Sequence, residues 1–155
     1  MDREIRAGAN KMIRTVLAMF TLALWTSVAA GQSDPVSERK SLMKGNLEGA
    51  RNIVKMVRGQ NSFDLEQVTA AFEQWTDTAK KLPNLFPEPP AQGTKTRALP
   101  KIWENKADFE AKIAAFAKAV SESRDKAKTL DELKIAFPPV NDACVDCHEL
   151  YRRPQ

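Results

Sequence analysis

The 155-residue sequence has few of the residues on which most catalytic and metal sites depend. It contains two cysteines, one histidine and one tyrosine. A zinc site would need further soft or imidazole ligands, which the chain does not contain. The single histidine adjoins a cysteine in the sequence and leaves no second imidazole base, and we find no Ser-His, Cys-His or paired-carboxylate arrangement to propose. We therefore do not expect an enzyme.

The sequence also lacks a run of about 20 apolar residues, the length that a helix needs to span a bilayer. Its apolar stretch Thr15–Val28 follows a basic segment and ends at the small residues Val28-Ala29-Ala30. This order predicts a secretory signal peptide, residues 1–30, that is cut after Ala30 and directs export. A retained membrane anchor is the alternative.

No basic patch interleaved with aromatic residues is present, which argues against nucleic-acid binding. The predicted signal peptide holds four of the 24 basic and two of the 20 acidic residues, so the rest of the chain has a net charge near +2. Export would place both cysteines outside the reducing cytoplasm. A net charge near +2 is compatible with a small electron carrier as a partner.

Both cysteines and the histidine fall within five consecutive residues, Cys144-Val145-Asp146-Cys147-His148. Residues three apart share one face of a helix, so two thiols at this spacing can add to the two vinyl groups along one haem edge. His148 then lies beside Cys147 and can coordinate the iron. The motif predicts one covalently attached haem c. A disulfide or a zinc site is the alternative.

Four segments repeat apolar residues in steps of three and four, the pattern of an amphipathic helix. The first begins at Asp34-Pro35 and ends before Gly59, the second runs from Ser62 to Pro83, and the others begin at Asn105 and Thr129. The predicted core positions are Met43, Leu47, Ala50, Val54 and Val57; Leu65, Val68, Phe72, Trp75, Ala79 and Leu82; Phe109, Ile113, Phe116 and Val120; and Leu133, Phe137, Val140, Cys144, Cys147 and Tyr151. With no strand-like alternation, residues 31–155 are predicted to form an all-α antiparallel four-helix bundle with the haem near one end.

Two proline-rich segments depart from this pattern. Leu82–Trp103 holds five of the nine prolines and is long for a helix connection. Its residues Leu85, Phe86, Leu99, Ile102 and Trp103 indicate a cover packed on the bundle. Pro138-Pro139 lies inside the fourth helix, so we expect a kink or a one-turn interruption at residues 137–139, with the helix resuming before Cys144.

The chain resembles the class II c-type cytochromes, the cytochrome c prime family. The resemblance rests on the C-terminal position of the haem motif and on the phrases Arg39–Lys44 (RKSLMK), Leu82–Pro87 (LPNLFP) and Leu99–Trp103 (LPKIW). It covers residues 31–155.

This family implies a periplasmic haem protein of one of two kinds. In one branch a methionine of the first helix is the sixth iron ligand, the iron is low-spin, and the protein is similar to a simple electron carrier with redox partner proteins. In the other branch the iron is five-coordinate and high-spin, and an apolar pocket admits nitric oxide or carbon monoxide. Family members often form dimers through their first two helices, which implies a homodimer. We expect the electron carrier.

Met43 is the candidate sixth ligand. It lies on the predicted core face of the first helix, and a thioether is a soft ligand suited to haem iron. Ordinary core packing is the alternative. Met56 lies about 20 Å further along a helix with 1.5 Å rise per residue, too far to serve the same site.

Two arginines are candidates to pair with haem propionates. The family implies this role for Arg39, one turn before Met43, with a solvated surface arginine as the alternative. Arg152 lies four residues after His148 and could pair with a propionate or be a charge on a frayed terminus. We interpret Trp75, Trp103 and Tyr151 as packing residues, with haem contact as the alternative.

Overall fold

The computed structural model describes residues 34–88 and 95–154. Helix α1 spans Pro35–Val57, α2 Leu65–Lys81, α3 Lys101–Glu104, α4 Lys106–Arg124 and α5 Leu130–Tyr151, and a 3-10 turn covers Leu82–Leu85. The four long helices form the predicted four-helix bundle, in which α1 packs on α2, α2 on α4, α4 on α5, and α1 on α5. The predicted signal peptide, residues 1–30, lies outside the described residues. Within those residues, no helix is both long and apolar enough to cross a membrane.

Polar caps begin three of the long helices, because a side-chain oxygen there accepts a backbone N–H that has no partner inside the helix. The caps are Asp34, Asp64 and Thr129. The prediction that the second helix starts at Ser62 was therefore wrong, since Asp64 is its cap and Leu65 its first residue. Gly59 follows α1 with φ +70°, a backbone conformation that glycine adopts without steric cost.

The interior is divided into two apolar clusters. The larger one joins α1, α2, α4 and α5 and includes Ile53, Phe72, Trp75, Val120, Leu133 and Phe137. The smaller one lies nearer the chain terminus and consists of Leu82, Ile102, Phe109, Ile113 and Tyr151. Cys144 packs against the larger cluster and Cys147 against the smaller one. The two cysteines thus lie where the two clusters meet.

The predicted core face of α1 was only partly right: Met43, Ala50, Val54 and Val57 are half-buried and pack against the two clusters, but they are not the fully buried residues. The buried residues of this helix are Val36, Arg39, Leu42, Ile53 and Met56, whereas predicted Leu47 is 49% exposed. Helix α1 carries two neighbouring apolar stripes, and the period of the sequence does not say which one faces the other helices. The corresponding predictions hold for α4 and α5, where Phe109, Ile113, Phe116, Val120, Leu133, Phe137, Val140 and Tyr151 are all buried.

Helix α5 continues through Pro138-Pro139, so the expected one-turn interruption was wrong. Both prolines are exposed, while Phe137 and Val140 on either side are buried. The carbonyls left without a donor belong to Lys134 and Ile135, which are also exposed and can bond water. Packing of the flanking side chains therefore stabilises the helix here, and the two carbonyls that lose their N–H donors belong to solvent-exposed residues.

The described part of Leu82–Trp103 is a packed cover, as predicted. Leu85 and Ile102 are buried, and Phe86 contacts the Phe109 ring at 4.7 Å between ring centroids. The backbone N–H of Leu99 donates to the Tyr151 carbonyl at 3.0 Å. The cover is thereby attached to the end of α5, beside the cysteines.

Candidate functional site

Cys144, Cys147 and His148 lie in the last two turns of α5, with half-buried side chains. Both cysteines are free thiols. In the described ranges no group of three or more histidine, cysteine, aspartate or glutamate side chains could hold a metal ion. The helix thus presents two thiols and one imidazole toward the junction of the two apolar clusters.

Two adjoining cavities open beside these residues. The larger cavity has a volume of about 490 Å³ and the smaller one about 270 Å³. Met43, Leu82, Ile113, Cys147 and His148 line both. The larger cavity is otherwise walled mainly by apolar side chains, including Leu47, Ala50, Trp75, Phe116, Phe137 and Val140. Ligand pockets of this size and character hold drug-sized and cofactor-sized molecules, so these residues fit a haem.

Burial controls the protonation of the three motif residues. It raises the pKa of the Cys144 thiol to about 11, with a smaller contribution from Cys147. Burial also raises the pKa of Cys147. The pKa of His148 is lowered to about 4 by burial first, and then by the charges of Arg152 and Arg97. The imidazole is therefore neutral near pH 7, the form that coordinates a metal.

Met43 approaches the same space from α1. It is half-buried, packs against the smaller cluster, and lines both cavities together with His148. Met56 is 1% exposed within the larger cluster and lines neither cavity. Of these two methionines, only Met43 shares a cavity with the histidine.

Arg39 is buried rather than solvated, so the alternative of a surface arginine was wrong. Its guanidinium donates to the Leu85 carbonyl and, at 3.2 Å, to the Thr96 hydroxyl. It also lies 4.3 Å from the centre of the Phe86 ring, a cation–π contact. Arg39 therefore ties α1 to the cover, while it also lines the smaller cavity.

Replacing Arg39 by alanine is expected to cost about 2 kcal/mol of unfolding free energy, because the buried Leu85 carbonyl loses a charged donor. Denaturant unfolding of the haem-loaded protein measures this loss. Arg51→Ala on the exposed side of α1 is the matched control and should stay within about 0.5 kcal/mol of the parent. Equal stability of the two variants would contradict a structural role for Arg39.

Arg152 belongs to an ordered chain end, and the alternative of a frayed terminus was wrong. Its backbone N–H donates to the His148 carbonyl at 3.1 Å, and it forms an antiparallel bridge with Ala98. Its neighbour Arg153 donates its backbone N–H to the Arg97 carbonyl at 2.9 Å. Arg152 itself lines both cavities.

The three aromatic residues have different positions. Trp75 lines the larger cavity and stacks on Phe137, with 6.0 Å between ring centroids. Tyr151 lines the smaller cavity, and its hydroxyl donates to the Asp108 carboxylate. Trp103 lines neither of these cavities and donates its indole N–H to the Pro87 carbonyl at 3.0 Å. All three side chains therefore have packing roles, and Trp75 and Tyr151 also border the cavities beside His148.

Tyr151 should make stability sensitive to alkaline pH. The hydrogen bond to Asp108, aided by burial, raises the pKa of Tyr151 from 10.0 to about 12. The folded protein holds this proton more tightly than the unfolded chain, so the stabilisation is complete below pH 10 and is lost as pH rises toward 12. Melting temperatures from pH 8 to 12 should show this loss in the parent and not in Tyr151→Phe. Because Tyr151 is the sole tyrosine, phenolate absorbance reports its titration directly, and an ordinary titration near pH 10 would contradict the prediction.

The sequence reasoning missed four basic residues at this site. Lys40, Lys44 and Lys112 line the larger cavity, and Lys40 and Arg97 line the smaller one. Lys40 lies three residues before Met43, a spacing that could have indicated a shared helix face. No local signal places Lys112 or Arg97 beside them, because these residues come from other parts of the chain.

Comparison with known proteins agrees with this architecture. The family model described as Cytochrome C′ matches residues 34–152. A cytochrome c-556 from Rhodopseudomonas palustris is 38% identical over 146 residues, which are 91% of this chain and 97% of the relative. The structure of cytochrome c′ from the same organism is similar with a TM-score of 0.75 and 35% identity, covering 80% of this chain and 99% of that one.

A third similar protein is a cytochrome c prime variant from Alcaligenes xylosoxidans, whose structure was solved as a nitric oxide complex. Its TM-score is 0.67 at 27% identity, over 77% of this chain and 94% of that one. The family match spans most of the chain and includes both the helices and the C-terminal motif. The protein therefore belongs to the cytochrome c′ family, the class II c-type cytochromes, which are haem c proteins and not enzymes.

Proposed function

We propose that this protein carries single electrons in the periplasm, with a haem attached through Cys144 and Cys147 and with His148 and Met43 as the axial ligands of its iron. When bound, the haem supplies the one-electron redox chemistry. The protein residues then have three tasks: to hold the group covalently, to provide both ligands, and to keep water away from it.

The observation that carries this proposal is the shared position of Met43 and His148. They come from different helices, α1 and α5, and line the same two cavities. Two ligands that are both supplied by packed helices can remain in place in both redox states, so an electron passes with little rearrangement. A gas would first have to displace the methionine.

The surroundings of His148 support its role as a ligand. Burial keeps its imidazole neutral, as the lowered pKa indicates, so no proton competes for the ring nitrogens near pH 7. The raised pKa values of Cys144 and Cys147 keep both thiols protonated, which disfavours their use as reactive thiolates. Their place at the junction of the two apolar clusters suits covalent attachment of an apolar macrocycle.

Arg39 and Arg152 are proposed to balance the charge of the two haem propionates. Both line the smaller cavity. Arg39 already has two hydrogen-bond acceptors, but a guanidinium has five donors and can serve another acceptor. Arg152 has an exposed side chain on a fixed backbone, so it can adjust its position.

The relatives and the chain start support the remaining parts of the proposal. The similarity to a cytochrome c-556 at 38% identity is consistent with the methionine-ligated branch. Residues 1–30 are proposed to be the signal peptide that exports the protein, with residues 31–155 as the mature cytochrome. A homodimer through α1 and α2 stays a prediction.

Spectroscopy of the purified protein tests the proposed function. The ferric protein should give low-spin visible and paramagnetic resonance spectra, because Met43 completes six ligands. The ferrous protein should react slowly or not at all with carbon monoxide. A high-spin ferric spectrum together with rapid carbon monoxide binding would reject the electron carrier.

Gas binding is the second candidate. The similar cytochrome c prime from Alcaligenes xylosoxidans was solved with nitric oxide bound, and the larger cavity here has an apolar lining that admits a neutral diatomic. In this case Met43 would border the cavity without coordinating the iron. The same spectra distinguish the two functions.

A further inference from the structure

The cavities beside His148 are surrounded by positive charge. Six basic residues line one or both of them: Arg39, Lys40, Lys44, Arg97, Lys112 and Arg152. In the described part of the chain, no aspartate or glutamate lines either cavity. Two of the lysines form ion pairs, Lys44 with Glu48 at 4.0 Å and Lys112 with Asp146 at 3.9 Å. In the first pair both side chains are exposed, whereas in the second the carboxylate is 61% exposed and Lys112 is 29% exposed. Water screens such pairs, so much of the positive potential remains.

The positive charge around the two cavities is larger than the negative charge that a bound haem would bring. Two propionates neutralise two of the six positive charges, and Arg39 is buried behind the cover. Lys40 and Lys44 are exposed on adjacent turns of α1, so their charges remain at the protein surface. A positive surface therefore remains around the opening of the larger cavity.

The same opening exposes apolar side chains. Leu47 and Val145 are 49% and 42% exposed, and both line the larger cavity. They come from α1 and α5, the two helices that carry Met43 and His148. An apolar centre within a charged rim is the usual composition of a protein docking surface.

We propose that Leu47, Val145, Lys40, Lys44 and Lys112 form the docking surface for an acidic electron-transfer protein. This inference rests on the proposed electron-carrier function. Lysines at the rim would steer an acidic partner during encounter, and Leu47 and Val145 would contact it beside the site. Steering of this kind raises association rates by about 10- to 1,000-fold at low salt and is lost as salt increases.

The test compares two redox proteins of opposite charge as probes, plant plastocyanin as the acidic one and mitochondrial cytochrome c as the basic one. Stopped-flow mixing of the ferrous protein with each oxidised probe gives the bimolecular rate constant between 10 and 200 mM ionic strength. With plastocyanin the rate constant should fall at least about tenfold across this range. With mitochondrial cytochrome c it should stay level or rise.

Lys40→Glu/Lys44→Glu is the variant, and Lys118→Glu/Lys126→Glu is its matched control. Lys44 and Lys118 each form an exposed i,i+4 pair with a glutamate, and the two variants have the same net charge. Lys118 and Lys126 line neither cavity. At 10 mM ionic strength the first variant should react with plastocyanin about tenfold more slowly than the control. Equal rate constants for the two variants would overturn the proposed surface.

A binding measurement separates this surface from the electron-carrier function. Calorimetric titration with redox-inactive, zinc-substituted plastocyanin at low ionic strength should show binding by the parent and the control and weaker binding by Lys40→Glu/Lys44→Glu. Binding without electron transfer would reject the carrier and keep the surface. Retention on anionic phospholipid vesicles at 100 mM salt, with no binding to plastocyanin, would assign the lysines to a membrane instead and overturn the proposal.

Discussion

Replacing Met43 by alanine is expected to convert the ferric protein from low-spin to high-spin. Met43 is the methionine that shares both cavities with His148, so its removal leaves one axial position without a protein ligand. The ferrous variant should also bind carbon monoxide readily, since no thioether has to be displaced. Visible and paramagnetic resonance spectra of the parent and the variant measure the change.

Met56→Leu is the control for this experiment. Met56 lies on the same helix but is buried in the larger cluster, and a leucine of similar volume should be tolerated there. Its spectra should match those of the parent. Identical high-spin spectra for the parent and Met43→Ala would remove the structural basis of the electron carrier and favour the gas-binding function.

Replacing Cys144 and Cys147 by alanine is expected to abolish covalent haem attachment and cooperative folding together. The larger cavity, of about 490 Å³, lies against residues of both apolar clusters. Without the haem, the apolar side chains that line this open cavity lose their packing partner and face water. A domain has only about 5–15 kcal/mol of stability in total, so the loss of this packing should remove the sharp unfolding transition. The variant should be helical but loosely packed.

Circular dichroism on heating and intact mass measure these two effects. The parent should melt in one sharp transition, and its mass should be that of residues 31–155 plus one haem. The double variant should carry no covalent haem and melt gradually. Asp142→Ala, an exposed change on the same helix, is the control and should behave as the parent. A sharp transition in the double variant would show that the helices pack without the cofactor.

Local chemistry explains what could be predicted about the site. Cys144, Cys147 and His148 are nearly consecutive, so their relative positions follow from the helix alone. The core positions of α4 could also be predicted, because its apolar residues form a single stripe. The caps at Asp34 and Thr129 depend on contacts within four residues of the chain.

The role of Arg39 shows the limit of this reasoning. Its acceptors, Leu85 and Thr96, are 46 and 57 residues away in sequence. A motif that places an arginine one turn before Met43 does not reveal that a distant cover will close over it. The same holds for Lys112 and Arg97, whose places beside the cavities depend on how α4 and the cover pack.

The sequence by itself determined the helical bundle, the haem motif and the positions of the two candidate axial residues along their helices, because each depends on spacing within one helix. Only the tertiary structure decided which stripe of α1 is buried, that α5 continues through Pro138-Pro139, and that six basic residues surround the site. These features arise from packing between segments that are far apart in the chain. Spacing within one helix carries no information about what the neighbouring helix will place against it.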